Sequence, residues 1–268
     1  MSSRMSDLPE AAPFTPAELQ SRVDELRWFH RIDLGNGIVT PGEDESPEKL
    51  AKLRLPDRLD GLSVLDIGAW DGFFSFEAER RGAARVVAID PECWREPVWG
   101  PNGWGTPEPF TLAHRALNSR VETIDIDLLE ISPESVGTFD VVFFLGVFYH
   151  LPNPWLYLSQ AASVCNKLMV LETHADMLDF PRAAMAFYPG AEVDGDESNY
   201  WGPNAKALAG MLAQEGLTRT RAYQESRAYR IARAANSRLH GGHYRVQQGR
   251  LVVHAQREHG AGATSPGT

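Results

Sequence analysis

The sequence predicts an α/β fold with a mostly parallel seven-stranded sheet and helices on both faces. Strand and helix patterns alternate through five units between residues 63 and 216, which is typical of an open parallel sheet. The almost wholly apolar run "FDVVFFLG" is typical of a central strand covered on both faces. The last two strand patterns, "TRTRAY" and "RLVVHAQ", have no helix pattern that we recognise between them and predict an antiparallel hairpin at one edge.

The elements follow in a clear order. The predicted strands before that pair are "SVLDIGA", "RVVAID", "VETIDI", "FDVVFFLG" and "KLMVLET", and the helices between and after them are "FFSFEAERR", "PFTLAHRALN", "NPWLYLSQAASVC" and "PNAKALAGMLAQEG". Near the N-terminus, Thr15 and Glu18 form a capping box with Pro16 at the first helical position, so a helix starts there. A short helix is expected near Ser46–Leu53.

These patterns divide the chain into four parts. We expect a disordered tail over residues 1–14, a helical and loop cap over 15–58, the main α/β domain over 59–257 and a disordered tail over 258–268. The cap contains the long irregular segment "HRIDLGNGIVTPGEDES", and segments of this kind inside compact domains are often binding loops.

Composition and charge limit the function classes. The 268 residues are 43% hydrophobic and carry a net charge of -10. Residues 217–268 hold nine Arg, no Lys and two Glu, a net charge of +7, and the rest carries -17. The acidic bulk argues against non-specific nucleic-acid coating. The basic end could bind one anionic ligand or form a solvated face. Two distant cysteines and the lack of a secretion signal or membrane span predict a cytoplasmic protein.

The glycine turn after strand one, "DIGAWDG", indicates a cofactor site. Its glycines are Gly68 and Gly72, and the middle glycine of the dinucleotide fingerprint is absent. Asp66 and Asp71 flank the turn, and their charges would repel a pyrophosphate and attract a cation. S-adenosylmethionine (SAM), with its sulfonium and amine, fits this pattern better than NAD.

Acidic residues follow the next two strands. Asp90 lies about 20 residues after the turn, where an acid binds ribose hydroxyls. Asp125 or Asp127 after strand three could face the adenine amino group. Each acid alone could be a helix cap or turn residue. Their order after successive strands favours one shared site.

These motifs resemble those of the class I SAM-dependent methyltransferases. "VLDIGAWDG" looks like their first motif and "VVAID" like their second. "FDVVFFLGVFYHLPNP", "LMVLET", "NYWGPNAKALAGMLAQEGL" and the leader "FHRIDLGNGIVTPG" are similar to the tRNA wobble-uridine carboxymethyltransferase family and its short relatives. The resemblance covers roughly residues 28–216. It implies a Rossmann-like class I methyltransferase fold and a SAM-binding methyltransferase domain over residues 59–257.

The resemblance also implies a cofactor site and places Tyr149 beside the transferred group. The expected cofactor-site residues are Asp66, Gly68, Ala69, Trp70, Asp71, Gly72, Asp90, Pro91, Asp125, Ile126, Asp127, Gly146 and Tyr149. The wobble-uridine enzymes carry a lysine before strand one that binds the carboxylate of carboxy-SAM. Here Lys49 and Lys52 lie in a differently patterned segment, which favours ordinary SAM over carboxy-SAM.

Candidate catalytic residues follow strands four and five. His150 could act as a general base or only shape the pocket. Glu172 could orient a substrate or a base, or anchor a loop, and His174 lies two residues further on. Together the three could bind a metal, but their spacing does not require one, and no metal is predicted.

The aromatic segment after strand five is expected to cover an acceptor substrate. Its wall candidates, with one from the cap, are Trp28, Tyr188, Asn199, Tyr200, Trp201 and Asn204; simple packing is the alternative for each. Phe29 and the loop from Trp94 to Trp104 could close the other side.

The favoured function is methyl transfer to a small molecule, possibly in secondary metabolism. One alternative is RNA modification, with the arginine-rich segment "TRTRAYQESRAYRIARAANSR" binding phosphates of a tRNA. A non-catalytic SAM-binding module is the other.

Overall fold

A seven-stranded sheet forms the centre of the protein. The computed structural model describes residues 14–95, 105–240 and 245–258, so all but one residue of each predicted terminal tail and most of the tryptophan-rich loop lie outside the described residues. The strands run in the order β3-β2-β1-β4-β5-β9-β8. Their bounds are β1 Ser63–Ile67, β2 Arg85–Ile89, β3 Glu122–Thr123, β4 Phe139–Leu145, β5 Cys165–Ala175, β8 Arg219–Gln224 and β9 Gly249–Gln256. The predicted mixed α/β fold is confirmed.

Both faces of the sheet are covered, as the apolar pattern of β4 predicts. Phe144 of β4 lies in one buried cluster with apolar residues of two helices, and its neighbour Phe143 lies in a second cluster on the opposite face. Successive strand side chains point to opposite faces, so a strand between two helical layers must be apolar throughout. The helices are α1 Pro16–Glu25, α2 Ser46–Leu53, α3 Phe73–Arg80, α4 Pro91–Arg95, α5 Pro107–Ala116, α6 Pro154–Ser163, α7 Ala205–Gln214 and α8 Arg227–Leu239.

Strand β9 runs antiparallel to both β5 and β8, so the predicted antiparallel pair at the edge is confirmed. The prediction that no helix lies between β8 and β9 was wrong. Helix α8 connects them, and its N-cap Ser226 accepts a hydrogen bond from the amide of Tyr229. The sequence of α8 is rich in arginine and alanine, and its buried residues are Arg230 and Ala234. The helix therefore has no row of large apolar residues from which it could be predicted.

The N-terminal segment packs on the face that also carries α3 and α5. The capping box of α1 is present, and α2 has the predicted bounds. Leu19 and Val23 of α1 join the buried cluster of this face, together with Trp28. The segment is therefore fixed beside the glycine turn after β1.

A second, two-stranded sheet lies outside the main one. It pairs β6, Met185–Phe187, with β7, Trp201–Pro203, in the segment that the sequence assigns to substrate covering. Within the described ranges, no helix is both long and apolar enough to span a bilayer.

Candidate active site

The glycine turn after β1 requires glycine at two positions. Gly68 and Gly72 have φ angles of 79° and 92°. A Cβ on Gly68 would lie 2.3 Å from a methyl carbon of Val147, and one on Gly72 would lie 2.6 Å from the ring of Phe76. The turn thus packs directly on the segment that follows β4. Ala69 is buried between these glycines.

Two buried carboxylates lie at the carboxyl ends of β1 and β2. Asp66 accepts a hydrogen bond from Ser75 Oγ at 2.6 Å, and Asp90 accepts from the amide of Trp70 at 2.8 Å. Burial raises the pKa of each carboxyl to about 6, although these hydrogen bonds oppose the rise. Ionised, both would favour a cation or hydroxyl donors at this edge. Pro91 begins α4 directly after Asp90.

The carboxylate of Asp71 binds the N-terminal segment, and its expected role beside a cofactor cation stays a prediction. Its Oδ2 accepts hydrogen bonds from the amides of Phe29 and His30 at 2.8 and 2.9 Å, and its Oδ1 binds His30 Nδ1. Phe29 also stacks on Trp70, with ring centroids 4.4 Å apart. Asp71 and Trp70 therefore fasten the N-terminal segment to the turn.

The two acids after β3 have local partners. Asp125 forms an exposed ion pair with Arg95, and Asp127 Oδ1 accepts from the amide of Leu129 as the cap of a short 3-10 helix. Ile126 between them is buried in the core. Their role at an adenine stays a prediction.

The buried Glu172 and the partly exposed Arg250 form an ion pair that the sequence did not reveal. Arg250 on β9 reaches Glu172 on β5 through two hydrogen bonds, one of 2.6 Å from a terminal guanidinium nitrogen and one from Nε. Burial opposes ionisation of Glu172, but the charge of Arg250 outweighs it, and the pKa of this carboxyl lies below its usual range. Arg250 also lies over the ring of Tyr149 at 4.9 Å. Glu172 thus holds Arg250, and its alternative role as an anchor fits this contact.

Gly146 directly follows β4 and holds the chain against the end of β5. Gly146 has a φ of 76°, and its amide donates to the carbonyl of Glu172 at 3.0 Å. The chain after β4 therefore turns over the end of β5. Tyr149 follows in that turn.

Two histidines lie on either side of Tyr149. The ring of His150 is 4.0 Å and that of His174 is 6.3 Å from the Tyr149 ring, measured between centroids. Burial lowers the pKa of both histidines to about 4, so each imidazole is neutral near pH 7. His150 Nδ1 contacts Ser198, and His174 Nε2 lies 3.2 Å from Tyr188 Oη.

The segment after β5 is tied to the turn after β4. The amide of Tyr200 donates to the carbonyl of Tyr149 at 2.8 Å, and Trp201 Nε1 donates to the carbonyl of Leu151 at 3.0 Å. Tyr149, His150 and His174 are together called the histidine cluster. Tyr188 contacts His174 directly, whereas Tyr200 and Trp201 bind the backbone of the turn that carries Tyr149 and His150. Asn199 is buried, and its Oδ1 has no hydrogen-bond partner among the described residues.

Two wall candidates have structural roles instead. Trp28 is buried in the core, with Nε1 donating to the carbonyl of Val23 at 3.0 Å. Asn204 caps α7 by accepting from the amide of Ala207 at 2.9 Å, and its Nδ2 donates to the carbonyl of Arg182 at 2.7 Å. Both were wrong as substrate-wall predictions, since the donors and ring that would meet a substrate are already used.

A cavity of about 220 Å³ opens beside the ion pair. Its lining combines Glu172 and Arg250 with the charged side of α2; the lining residues are Asp44, Glu45, Glu48, Lys49, Lys52, Leu53, Glu172, Arg250 and Val252. A space of this size suits a small molecule or part of one. Among the described residues, no three His, Cys, Asp or Glu side chains converge as metal ligands.

Three of the six arginines in the arginine-rich segment form ion pairs within the described part of the chain. Arg227 and Arg230 pair with Asp179, and Arg233 pairs with Glu225. The Arg230 side chain is only 1% exposed. Arg227 and Arg230 thus link α8 to the loop after β5.

The chain matches the methyltransferase domain family over residues 43–221. That match covers well over half of the chain, so the chain belongs to this family. The predictions of methyltransferase family membership and of a class I methyltransferase fold are confirmed.

Relatives in sequence carry a more particular name. A tRNA U34 carboxymethyltransferase of Psychrobacter cryohalolentis is 30% identical over 167 residues, which are 61% of this chain and 45% of that protein. One of Chromohalobacter salexigens is 29% identical over 178 residues, covering 63% and 48%. The chain thus spans about half the length of the curated relatives it matches.

Solved structures share the fold. The N-terminal domain of EvdMO1 with SAH bound has a TM-score of 0.63 and 17% identity, covering 91% of this chain and 98% of that one. Haemonchus contortus phospholethanolamine N-methyltransferase 2, in complex with phosphomonomethylethanolamine and S-adenosylhomocysteine, has a TM-score of 0.53 and 13% identity, covering 84% and 55%. At these identities the likeness concerns the fold alone.

Proposed function

We propose that this member of the SAM-dependent methyltransferase class transfers a methyl group to a small-molecule acceptor. The observation that carries the proposal is the convergence of Tyr149, His150 and His174 with the Glu172–Arg250 pair, next to a cavity of small-molecule size. These side chains follow β4 and β5, and open α/β sheets bind ligands at the carboxyl ends of their strands.

The residues at the ends of β1 and β2 fit SAM. Asp66 and Asp90 are buried carboxylates beside a glycine turn with a left-handed backbone, and carboxylates attract cations and accept hydrogen bonds from hydroxyls. Asp90 would accept hydrogen bonds from ribose hydroxyls, and Asp66 would favour a cationic amine. When bound, SAM supplies a methyl group activated by the sulfonium.

The chain's own residues would then orient the acceptor. The loop from β6 to β7 covers the histidine cluster through the Tyr200 and Trp201 hydrogen bonds, which would exclude water from the reacting atoms. Asn199 Oδ1 offers one buried acceptor for a donor on the substrate. Holding the acceptor at near-attack distance is the main contribution such a site can make.

A small acceptor is favoured over RNA by the state of the arginine-rich segment. Arg227, Arg230 and Arg233 are paired with carboxylates of this chain, and a phosphate would have to displace them. Cytoplasmic localisation remains a prediction beside this proposal.

Carboxymethyl transfer is a second candidate, and the position of Lys49 favours it. The relatives are named tRNA U34 carboxymethyltransferases, and the resemblance implies a lysine near the carboxylate of carboxy-SAM. Lys49 and Lys52 line the same cavity as Arg250, so a cation before β1 stands near the site after all.

Native mass spectrometry of the purified full chain tests both candidates. A bound mass of SAM or SAH supports methyl transfer, and a bound mass of carboxy-SAM supports carboxymethyl transfer in its place. No binding of either at saturating concentration would contradict both. The matched variant is Asp90→Asn, which should lose the bound cofactor, against Asp24→Asn on the exposed face of α1.

A further inference from the structure

The histidine after β5 belongs to a chain of hydrogen bonds that ends at a carboxylate. Tyr188 Oη lies 2.7 Å from Asp176 Oδ2 and donates its proton there. Asp176 Oδ2 also accepts from Gln248 Nε2 at 3.1 Å, and Asp176 Oδ1 accepts from the amide of Met177 at 2.6 Å. In all three contacts an oxygen of Asp176 is the hydrogen-bond acceptor.

This arrangement decides which nitrogen of His174 carries the proton. A phenol has a single proton, and Tyr188 gives its own to Asp176. Tyr188 Oη can therefore only accept from His174 Nε2, 3.2 Å away. The neutral ring of His174 then has its proton on Nε2 and its lone pair on Nδ1, and no described residue occupies that Nδ1 with a hydrogen bond.

The other histidine of the cluster is set the opposite way. Ser198 Oγ donates to Asp196 Oδ1 at 2.7 Å, so it accepts from His150 Nδ1 at 2.9 Å. The Ser198 carbonyl, 3.2 Å from the same nitrogen, can also only accept. His150 therefore carries its proton on Nδ1. The two histidines beside Tyr149 have opposite tautomers.

The hydroxyl of Tyr188 is held closely in position. A Cβ on Gly202 of β7 would lie 2.6 Å from Tyr188 Oη and 2.9 Å from Asp176 Cβ. Glycine at this position lets β7 pack directly on the hydrogen-bonded pair. The pair is buried, since Tyr188 and Asp176 are 7% and 8% exposed.

We propose that Asp176 and Tyr188 are positioning residues that fix His174 as the Nε2–H tautomer, so that its Nδ1 accepts the proton of the methyl acceptor. This role rests on the proposed function. As the acceptor's oxygen or nitrogen bonds to the methyl carbon, the carbon–sulfur bond breaks and its electron pair stays on sulfur. The acceptor's proton passes to Nδ1, and the Asp176 charge, acting through Tyr188, offsets part of the burial cost that disfavours the resulting imidazolium.

The tautomer is measured directly by long-range proton–nitrogen NMR of the ¹⁵N-histidine-labelled full chain at pH 7, without cofactor or acceptor. His174→Asn and His150→Asn assign the two sets of signals. His174 should show a protonated Nε2 and an unprotonated Nδ1, and His150 the reverse. A proton on Nδ1 of His174 in the wild type overturns the proposal.

Two variants test whether Asp176 and Tyr188 fix the tautomer of His174. Tyr188→Phe should move the two His174 nitrogen shifts toward each other, because both tautomers become populated, and should leave His150 unchanged. Gly202→Ala pushes on the hydroxyl without removing it and should move the same signals in the same direction. Tyr229→Phe, a matched loss of an exposed hydroxyl on α8, should move neither. Unmoved His174 shifts in a folded Tyr188→Phe contradict the proposal.

The two proposals can fail separately. The spectra report the tautomer even if the chain binds no SAM. A chain that binds SAM but has the wrong tautomer loses only the role of Asp176 and Tyr188. If Tyr188→Phe does not fold, the wild-type spectrum and Gly202→Ala still decide.

Discussion

Asp71 and His30 form a buried pair across 41 positions of sequence, and through it the glycine turn and the N-terminal segment become one structural unit. The carboxylate of Asp71 is fully buried and accepts from two backbone amides as well as from the imidazole. The acid in the turn thus stabilises the cap.

Replacing this carboxylate should destabilise the fold. In Asp71→Ala the amides of Phe29 and His30 lose their acceptor, at a cost of about 1–3 kcal/mol for each buried group left unpaired. We expect the free energy of unfolding in urea to fall by about 3 kcal/mol. Asp24→Ala on the exposed face of α1 should change it by less than about 0.5 kcal/mol. Equal effects of the two substitutions would refute the role of Asp71.

Affinity for SAM should rise with pH through about 6. Burial raises the pKa of Asp66 and Asp90 to about 6 in the free protein, so both carboxyls are protonated at pH 5. A cationic amine and ribose hydroxyls favour the ionised forms, and each carboxyl whose pKa falls by one unit on binding changes the affinity by about tenfold. Isothermal titration calorimetry at pH 5 and pH 7.5 should show at least this loss at the lower pH.

The ionisation of Asp66 and Asp90 should lower the stability of the free protein, whereas it raises the affinity for SAM. Because their folded pKa lies above the unfolded value, the free energy of unfolding of the free protein falls as pH rises from about 4 to about 6. Asp66→Asn should remove its share of both effects. A flat affinity across this range would argue against the two acids as cofactor ligands.

Replacing Gly68 should cost stability because of its close contact with Val147. An alanine there adds both an unfavourable φ and a Cβ 2.3 Å from Val147, whereas Gly137 has a similar φ of 82° with nothing within 4 Å. Gly137→Ala therefore measures the backbone strain alone, about 1 kcal/mol. Gly68→Ala should lose clearly more stability in urea and, where folded, bind SAM more weakly. Similar losses in both variants would show that the contact with Val147 is unimportant.

Arg230 should matter for stability and not for nucleic acid. Its buried guanidinium binds Asp179 and the carbonyl of Val246, so Arg230→Gln should lower the free energy of unfolding by about 2 kcal/mol. Arg238→Gln, exposed on the same helix, should leave it unchanged. Wild-type protein should not bind a single-stranded RNA oligonucleotide at low salt in fluorescence anisotropy. Tight binding that both substitutions weaken would favour RNA modification instead.

Local patterns were enough to predict most of the scaffold. The run through β4 and the glycine turn after β1 each encode their structure within a few residues, so these strands and the edge carrying Asp66, Asp90, Tyr149 and Glu172 could be anticipated. The spatial order of the strands was not predicted. Strand β3 is only two residues long, although "VETIDI" has the composition of a longer strand. There the chain leaves the sheet because Asp127 caps a short helix.

Partners that are distant in sequence could not be anticipated. Nothing in "GRLVVHAQ" indicates that Arg250 faces Glu172, since the contact depends on the register of β9 against β5, where Glu172 lies opposite Val252. In residues 199–204, a local structural role was instead mistaken for a binding role. The asparagines look like binding residues, but Asn204 is a helix cap, a use that its place before "AKAL" equally allows.

The position of β9 between β5 and β8 affects the order in which the molecule can be completed during synthesis. Residues 249–256 are synthesised after β5 and β8, yet they fill the space between these two strands. Until β9 arrives, β5 presents an open hydrogen-bonding edge and Glu172 lacks its cation, so the nascent chain is exposed to strand-pairing errors during that interval.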